Sequence, residues 1–252
     1  MINDKSIVEL SFCMIPKVIH YCWFGGNPLP KSAQKCIASW RKYLPDYEIK
    51  EWNESNFDVN IIPYTAEAYK AKKYAFVSDY ARFWILYKYG GLYFDTDVEV
   101  IKNMDDIIAK GPFMAFEDVS DGIYPIAPGL VMGASPKMDF LEHIIGIYNQ
   151  KSFEFGRGMD NIVTLTTDIF IKKGLLQNNK LQKVYDYIIY PVDYFCPLCK
   201  STGKMTITEN TCGIHWYDGT WLSPKQKLAM WIKMHLGEKV FDLLCKIQKI
   251  FK

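Results

Sequence analysis

The 252-residue sequence has no long apolar run, and nothing in it approaches the roughly 20 consecutive apolar residues of a membrane-crossing helix. It also has almost no net charge: 30 Lys and Arg against 28 Asp and Glu leave +2. That balance excludes a dedicated nucleic-acid binder, which needs a broad basic excess. Histidine is scarce, with only His20, His143, His215 and His235. A metal-dependent phosphohydrolase, which commonly draws on several imidazoles, is therefore a weak alternative. The first twelve residues carry Asp4, Lys5 and Glu9 and lack the apolar stretch of a secretory leader, so none is expected. Seven cysteines, an odd number, fit reduced thiols in a cytosol better than a disulfide framework.

What is present is a globular composition. Apolar residues make up 49% and charged residues 23%, which excludes extensive disorder. Aromatics reach 15%, which suits a cleft for a flat or sugar-like ligand and equally a large aromatic core. Val18 to Phe24 reads as a buried strand closed by Gly25-Gly26, followed by a helix over Ser32 to Tyr43 and an alternating strand over Tyr47 to Trp52. A single long helix is expected from Thr65 to Tyr89, stopped by Gly90-Gly91. A short strand, Leu92 to Phe94, comes next. Further strands are expected at Phe113 to Phe116 and Leu130 to Met132, and further helices at Lys137 to Asn149 and Val163 to Lys172. Strand-helix-strand order predicts one α/β domain over residues 1–224.

Residues 225–252 differ. Seven Lys face only Glu238 and Asp242, and Leu236, Val240, Leu243, Leu244, Ile247 and Phe251 fall at helical spacing. Two readings stand: a terminal helix docked on the core, or a basic amphipathic helix lying on an anionic membrane surface with Trp231 and Phe251 as anchors.

The chemistry concentrates at Asp95-Thr96-Asp97, just past the strand Leu92 to Phe94. Two carboxylates two residues apart on extended backbone can point the same way. The carboxyl end of a strand is where α/β sheets bind ligands. Hard oxygen ligands of this kind suit Mg²⁺ or Mn²⁺, which keep positions open for substrate phosphates. On the preceding helix, Asp79 and Arg82 stand at i, i+3 and can pair, either as a structural lock or as a grip on sugar and phosphate oxygens.

Three segments in order carry a resemblance: Ile15 to Gly26, Ser78-Asp79-Tyr80-Ala81-Arg82, and Tyr89 to Asp97. Together they resemble the sugar-binding Asp-x-Asp glycosyltransferases of family 32, which include bacterial capsule and surface-polysaccharide enzymes. The resemblance implies a GT-A type, Rossmann-like nucleotide-sugar-binding domain with a mixed, mostly parallel central sheet. It also implies a divalent metal, usually Mn²⁺, a nucleotide-sugar donor (a UDP-sugar, with a GDP-sugar as the alternative), and retention of anomeric configuration. The acceptor implied is a glycan or a lipid-linked saccharide, which places the enzyme in the cytoplasm, at the inner face of the membrane. By the same resemblance Trp23 stacks on the base of the donor, Asp79 and Arg82 grip its sugar, Asp95 faces ribose, sugar and metal, and Asp97 ligates the metal. Weaker similarity over His215 to Trp221 implies that His215 completes the metal shell or contacts the diphosphate, and that Trp221 caps the donor. The segment around Gly156 to Thr167 departs from the pattern, so no acceptor residue or base is assigned there.

A competing metal reading remains. Cys196-x₂-Cys199-x₁₂-Cys212-x₂-His215 has the spacing of a structural zinc site, which would make a zinc-stabilised binding module of the chain and remove His215 from the catalytic set.

Overall fold

The computed structural model describes residues 14–119, 122–154, 161–200 and 202–219, with a few isolated helical positions beyond 224. The segment 225–252 falls almost wholly outside the described residues, as does Trp221.

The chain alternates strand and helix from its first described turn. Strand β1 (Val18–Cys22) leads through helix α1 (Lys31–Tyr43) to β2 (Glu48–Trp52). Two helices follow, α2 (Pro63–Lys70) and α3 (Tyr74–Tyr89), where one had been expected. The break is a conformational one that periodicity does not register. Lys72 sits at φ 57, and the amide of Lys73 returns to Ala68 O at 2.9 Å, closing α2 before α3 begins. Strand β3 (Gly91–Tyr93) and β4 (Val98–Val100) lie on either side of the acidic motif. The remainder is α4 (Asp105–Ile108), β5 (Phe113–Ala115), β6 (Met132–Ala134), α5 (Asp139–Tyr148), α6 (Ile162–Lys172), β7 (Gln182–Val184), β8 (Tyr187–Tyr190), α7 (Val192–Phe195) and β9 (Gly213–His215). Strand β6 starts where the expected Leu130 to Met132 strand was to end. Sequence patterning missed β4, β7, β8 and β9, which are three or four residues long and too short to show a period.

The strands form a seven-stranded sheet in the order β2-β1-β3-β6-β5-β8-β7 and a separate ribbon of β4 with β9. Strands β2, β1, β3, β5 and β8 run one way, while β6 and β7 run against them, so the sheet is mixed with most strands parallel in direction. This is the α/β architecture the sequence predicted. Side chains alternate between two cores. Met114 and Phe116 pack on the face covered by α3 and α5, with Phe83, Phe140 and Phe170. Phe113 and Ala115 pack on the other face, with Trp40, Phe94 and Phe195. Gly91 lets the sheet close: at φ 102, a Cβ there would stand 2.6 Å from Val18 O on the neighbouring strand.

Because β1, β3 and β5 point the same way, their carboxyl ends share one edge of the sheet. Trp23, Asp95 and Glu117 emerge there. Helix α1 pins the ribbon beside that edge: Trp40 Nε1 donates to Val98 O at 2.8 Å, and Ser39 Oγ accepts from Val100 N at 2.9 Å.

Candidate active site

Asp79, Arg82 and Asp95 assemble as an ionic triad around a buried guanidinium. Arg82 Nη2 lies 3.0 Å from Asp79 Oδ1 and 3.2 Å from Asp95 Oδ1, with only 5% of the Arg82 side chain exposed. Arg82 Nε donates to Ser78 O at 3.2 Å, and its guanidinium lies over the Tyr93 ring at 5.0 Å. The Tyr93 hydroxyl donates to Asp95 Oδ1 at 3.1 Å. Burial works against the Arg82 charge, but Asp95 leads the neighbours that outweigh it and keep it protonated. Burial lifts Asp79 to about 6 although Arg82 pulls the other way, so this carboxylate is costly to keep ionised.

Asp97 belongs to a second cluster. The backbone between the two aspartates is not extended, as the sequence reading supposed, but a tight turn in which Val98 N donates to Asp95 O at 3.1 Å. That turn sends Asp95 towards α3 and Asp97 towards β9. Pairing of β4 with β9 sets His215 opposite Val98, and Trp216 N returns to Asp97 O at 2.9 Å. Asp97 Oδ1 then lies 3.5 Å from His215 Nε2, and Asp97 Oδ2 accepts from Asp218 N at 3.1 Å. On the far side of the ring, Glu117 Oε1 stands 3.1 Å from His215 Nδ1. Burial alone would raise both carboxyls, yet His215 holds Asp97 and Glu117 below the usual carboxylate range. Burial opposes a charged His215; the Asp97 charge outweighs it and drives the imidazole well above its ordinary value.

Trp23 ends β1 half-buried, its backbone N donating to Trp52 O at 2.8 Å and its Nε1 to Asn27 O at 2.6 Å. The indole N–H is thus tied to the loop just beyond the sheet edge, and the ring packs partly on the core.

Glu117 is the residue that sequence reading missed. It follows a three-residue strand and belongs to no motif. The available signal was its place one residue beyond Phe116, at the end of a strand parallel to the one that delivers Asp95.

The zinc arrangement is not assembled. Cys196 Sγ pairs with the Tyr217 hydroxyl at 2.9 Å, Cys212 Sγ contacts Asn210 O at 3.3 Å, and both His215 nitrogens face carboxylates. Among the described residues no three or more His, Cys, Asp or Glu side chains form a cage for a metal. A phosphohydrolase cluster is likewise not brought together there. His20 is buried between Gly90 O and Trp52 Nε1, and His143 lies beside the Tyr185 hydroxyl. A divalent cation shared with a diphosphate needs fewer protein ligands than a cage. The Asp97 and His215 pair fits that demand, since two donor atoms 3.5 Å apart can sit on one hard ion with sites left for phosphate oxygen and water.

Residues 30–114, which span α1 to the start of β5, match the family model described as a glycosyltransferase sugar-binding region containing a DXD motif. The chain is 30% identical over 124 residues to inositol phosphoceramide mannosyltransferase 1 of Schizosaccharomyces pombe, an alignment covering 45% of this chain and 37% of that protein. It is 33% identical over 111 residues to inositol phosphoceramide mannosyltransferase 3 of the same yeast, covering 42% and 31%. The chain thus spans about a third of the length of these relatives. Among solved structures, PaToxG glycosyltransferase aligns at a TM-score of 0.47 and 17% identity over 67% of this chain and 74% of that one. The matched model and these relatives are all glycosyltransferases, the enzyme class that the sequence resemblance implied.

Proposed function

We propose that this chain is a metal-dependent, retaining glycosyltransferase that moves a sugar from a nucleoside-diphosphate sugar to a hydroxyl of a glycan or glycolipid. The observation that carries it is the division of labour across the turn at Thr96: an Asp79–Arg82–Asp95 triad on one side and an Asp97–His215 pair on the other.

Asp97 and His215 would hold Mn²⁺ or Mg²⁺, which supplies charge neutralisation for the departing diphosphate. Arg82, desolvated and fixed by two carboxylates, adds a permanent positive charge beside the same oxygens. Asp79 and Asp95 accept from sugar hydroxyls and hold the ring as positive charge develops at the anomeric carbon. Trp23 offers a flat apolar face for the base, suited to uracil or guanine. No carboxylate is assigned as a covalent nucleophile, which supports attack by the acceptor on the face the leaving group vacates. A UDP-sugar is the first donor to try. Mannose carried by GDP is the second, since the yeast relatives are named as mannosyltransferases acting on a phosphoceramide.

The acceptor class suggests a surface polysaccharide or lipid-linked saccharide. The Lys-rich stripe of residues 225–252 supports work at the inner membrane face. Among the described residues no helix is long and apolar enough to cross a membrane.

The test is release of nucleoside diphosphate from a panel of UDP- and GDP-sugars with and without Mn²⁺. Metal-stimulated release from one donor, lost in Asp97→Asn while the melting temperature holds, is the expected result. Absence of Mn²⁺-assisted binding of any donor, together with an unaltered Asp97→Asn profile, would end this reading.

A further inference from the structure

Glu117 is the carboxylate that no motif accounts for, and its surroundings are specific. It leaves β5 with its backbone tied down: Phe116 N donates to Tyr190 O at 2.9 Å and Glu117 N to Pro125 O at 2.8 Å. Its side chain is mostly buried, with the same 18% exposure as Asp97 and close to the 13% of His215. An acid held so far from water needs a cationic or N–H partner; His215 Nδ1 stands 3.1 Å away, and the Tyr217 hydroxyl and the Lys200 charge add to it.

The ring between them has little freedom. Tyr217 packs on the face of His215 with centroids 4.1 Å apart, and Tyr217 is itself fixed by its hydroxyl contact with Cys196 and a left-handed φ of 54. Face packing stops the imidazole from swinging out, but it does not choose which nitrogen carries the proton. Nδ1 is buried, and the Glu117 oxygen stands 3.1 Å from it. A neutral imidazole has a single N–H. If Nδ1 keeps it for Glu117, Nε2 is left with a lone pair beside Asp97 Oδ1 at 3.5 Å, where a proton in the ion-free chain or a divalent cation can bridge the two.

We propose that Glu117 is a positioning residue that holds His215 by Nδ1 and so presents Nε2, with the Asp97 carboxylate, to a divalent cation. The inference rests on the metal-dependent reading above and adds an outer carboxylate to it. Carboxylate-to-imidazole-to-metal arrangements fix the tautomer and raise ligand basicity, and loss of the outer partner weakens metal affinity by about 10–100-fold.

The probe is Mn²⁺ alone, titrated into the full chain and followed by electron paramagnetic resonance, with the pulsed experiment reading ¹⁴N coupling from a bound imidazole. The wild type should show ¹⁴N coupling that His215→Ala abolishes. Glu117→Met keeps length but offers no acceptor, and it should weaken Mn²⁺ binding by about 10–100-fold and lose most of the coupling. Glu117→Asp draws the carboxylate back by one methylene and should do the same, which covers the case of a Met variant that fails to fold. Glu117→Gln keeps one acceptor oxygen at the right reach and should restore the coupling. A purely structural role would not give that order. If the wild type binds Mn²⁺ through Asp97 and the Met or Asp variant keeps wild-type affinity and coupling, this proposal fails and the enzyme reading survives. If the wild type takes up no Mn²⁺, both fall.

Discussion

Gly129 and Asp95 share one space. The Gly129 carbonyl accepts from Asp95 N at 2.8 Å, and a Cβ built on Gly129 would land on the Asp95 carboxylate. The same Cβ would stand 2.5 Å from Arg82 Nη1. The absence of a side chain at 129 is therefore what lets the acid lie flat against the guanidinium.

Gly129→Ala should push the Asp95 carboxylate off Arg82 by about an ångström. Overpacking of this kind costs about 1–3 kcal/mol, read as a shift in the urea midpoint. Displacement of a group that positions the sugar should lower kcat/KM by about a hundredfold. An unchanged kcat/KM would show that Asp95 does not face the reacting sugar.

Arg82 has two carboxylates to satisfy. Arg82→Ala would leave Asp79 and Asp95 facing each other without a cation, at a cost of about 3–5 kcal/mol. Arg82→Lys keeps the charge but cannot reach both acids with a planar fork. It should fold better than the alanine variant yet lose nearly as much activity, which chemical denaturation and donor turnover measured side by side would reveal.

Trp23 is held by its backbone and by Asn27, so its removal should spare the fold. Base-on-aromatic stacking contributes about 1–3 kcal/mol, so Trp23→Ala should raise the donor KM by about tenfold or more with a small change in kcat. A loss confined to thermal stability would assign the indole to the core instead.

His20 supplies a pH signature independent of catalysis. Its Nδ1 accepts from Trp52 Nε1 at 3.0 Å and its Nε2 donates to Gly90 O at 3.0 Å, which fixes a neutral ring. Burial is the main cause that lowers it to about 4 from 6.5. The unfolded chain therefore binds the extra proton first as pH falls. The stabilisation from a neutral His20 is complete above 6.5 and drains away towards 4, by up to about 3 kcal/mol across the window. Asp79, lifted to about 6, acts in the opposite sense over an overlapping range. The informative quantity is thus the stability difference between wild type and His20→Gln, which should shrink on acidification. A difference that stays flat between pH 7 and 4.5 would show that folding leaves the proton affinity of the ring unchanged.

Much of the site was legible in one dimension. The i, i+3 spacing of Asp79 and Arg82 predicts their pairing, and they pair at 3.0 Å. The apolar run of β1 ending in Trp23 and two glycines predicts an aromatic at a sheet edge. Less legible was the Asp-x-Asp motif itself: spacing suggested two acids working side by side, whereas a turn at Thr96 sends them to different partners. The residue types do not announce that turn; the β4 strand it leads into is placed by Trp40 and Ser39 of α1.

The α/β architecture, the acidic motif after β3 and the helix that carries its counter-charge can be read along the chain, because these follow from periodicity, glycine stops and near-neighbour spacing. What needed the fold is the bracketing of the His215 imidazole by Asp97 on one side and by Glu117, 98 positions earlier in the chain, on the other. Strands of three residues have no period to read. Their registry is fixed by burial and by backbone hydrogen bonds to strands distant in the chain, which a linear pattern does not contain.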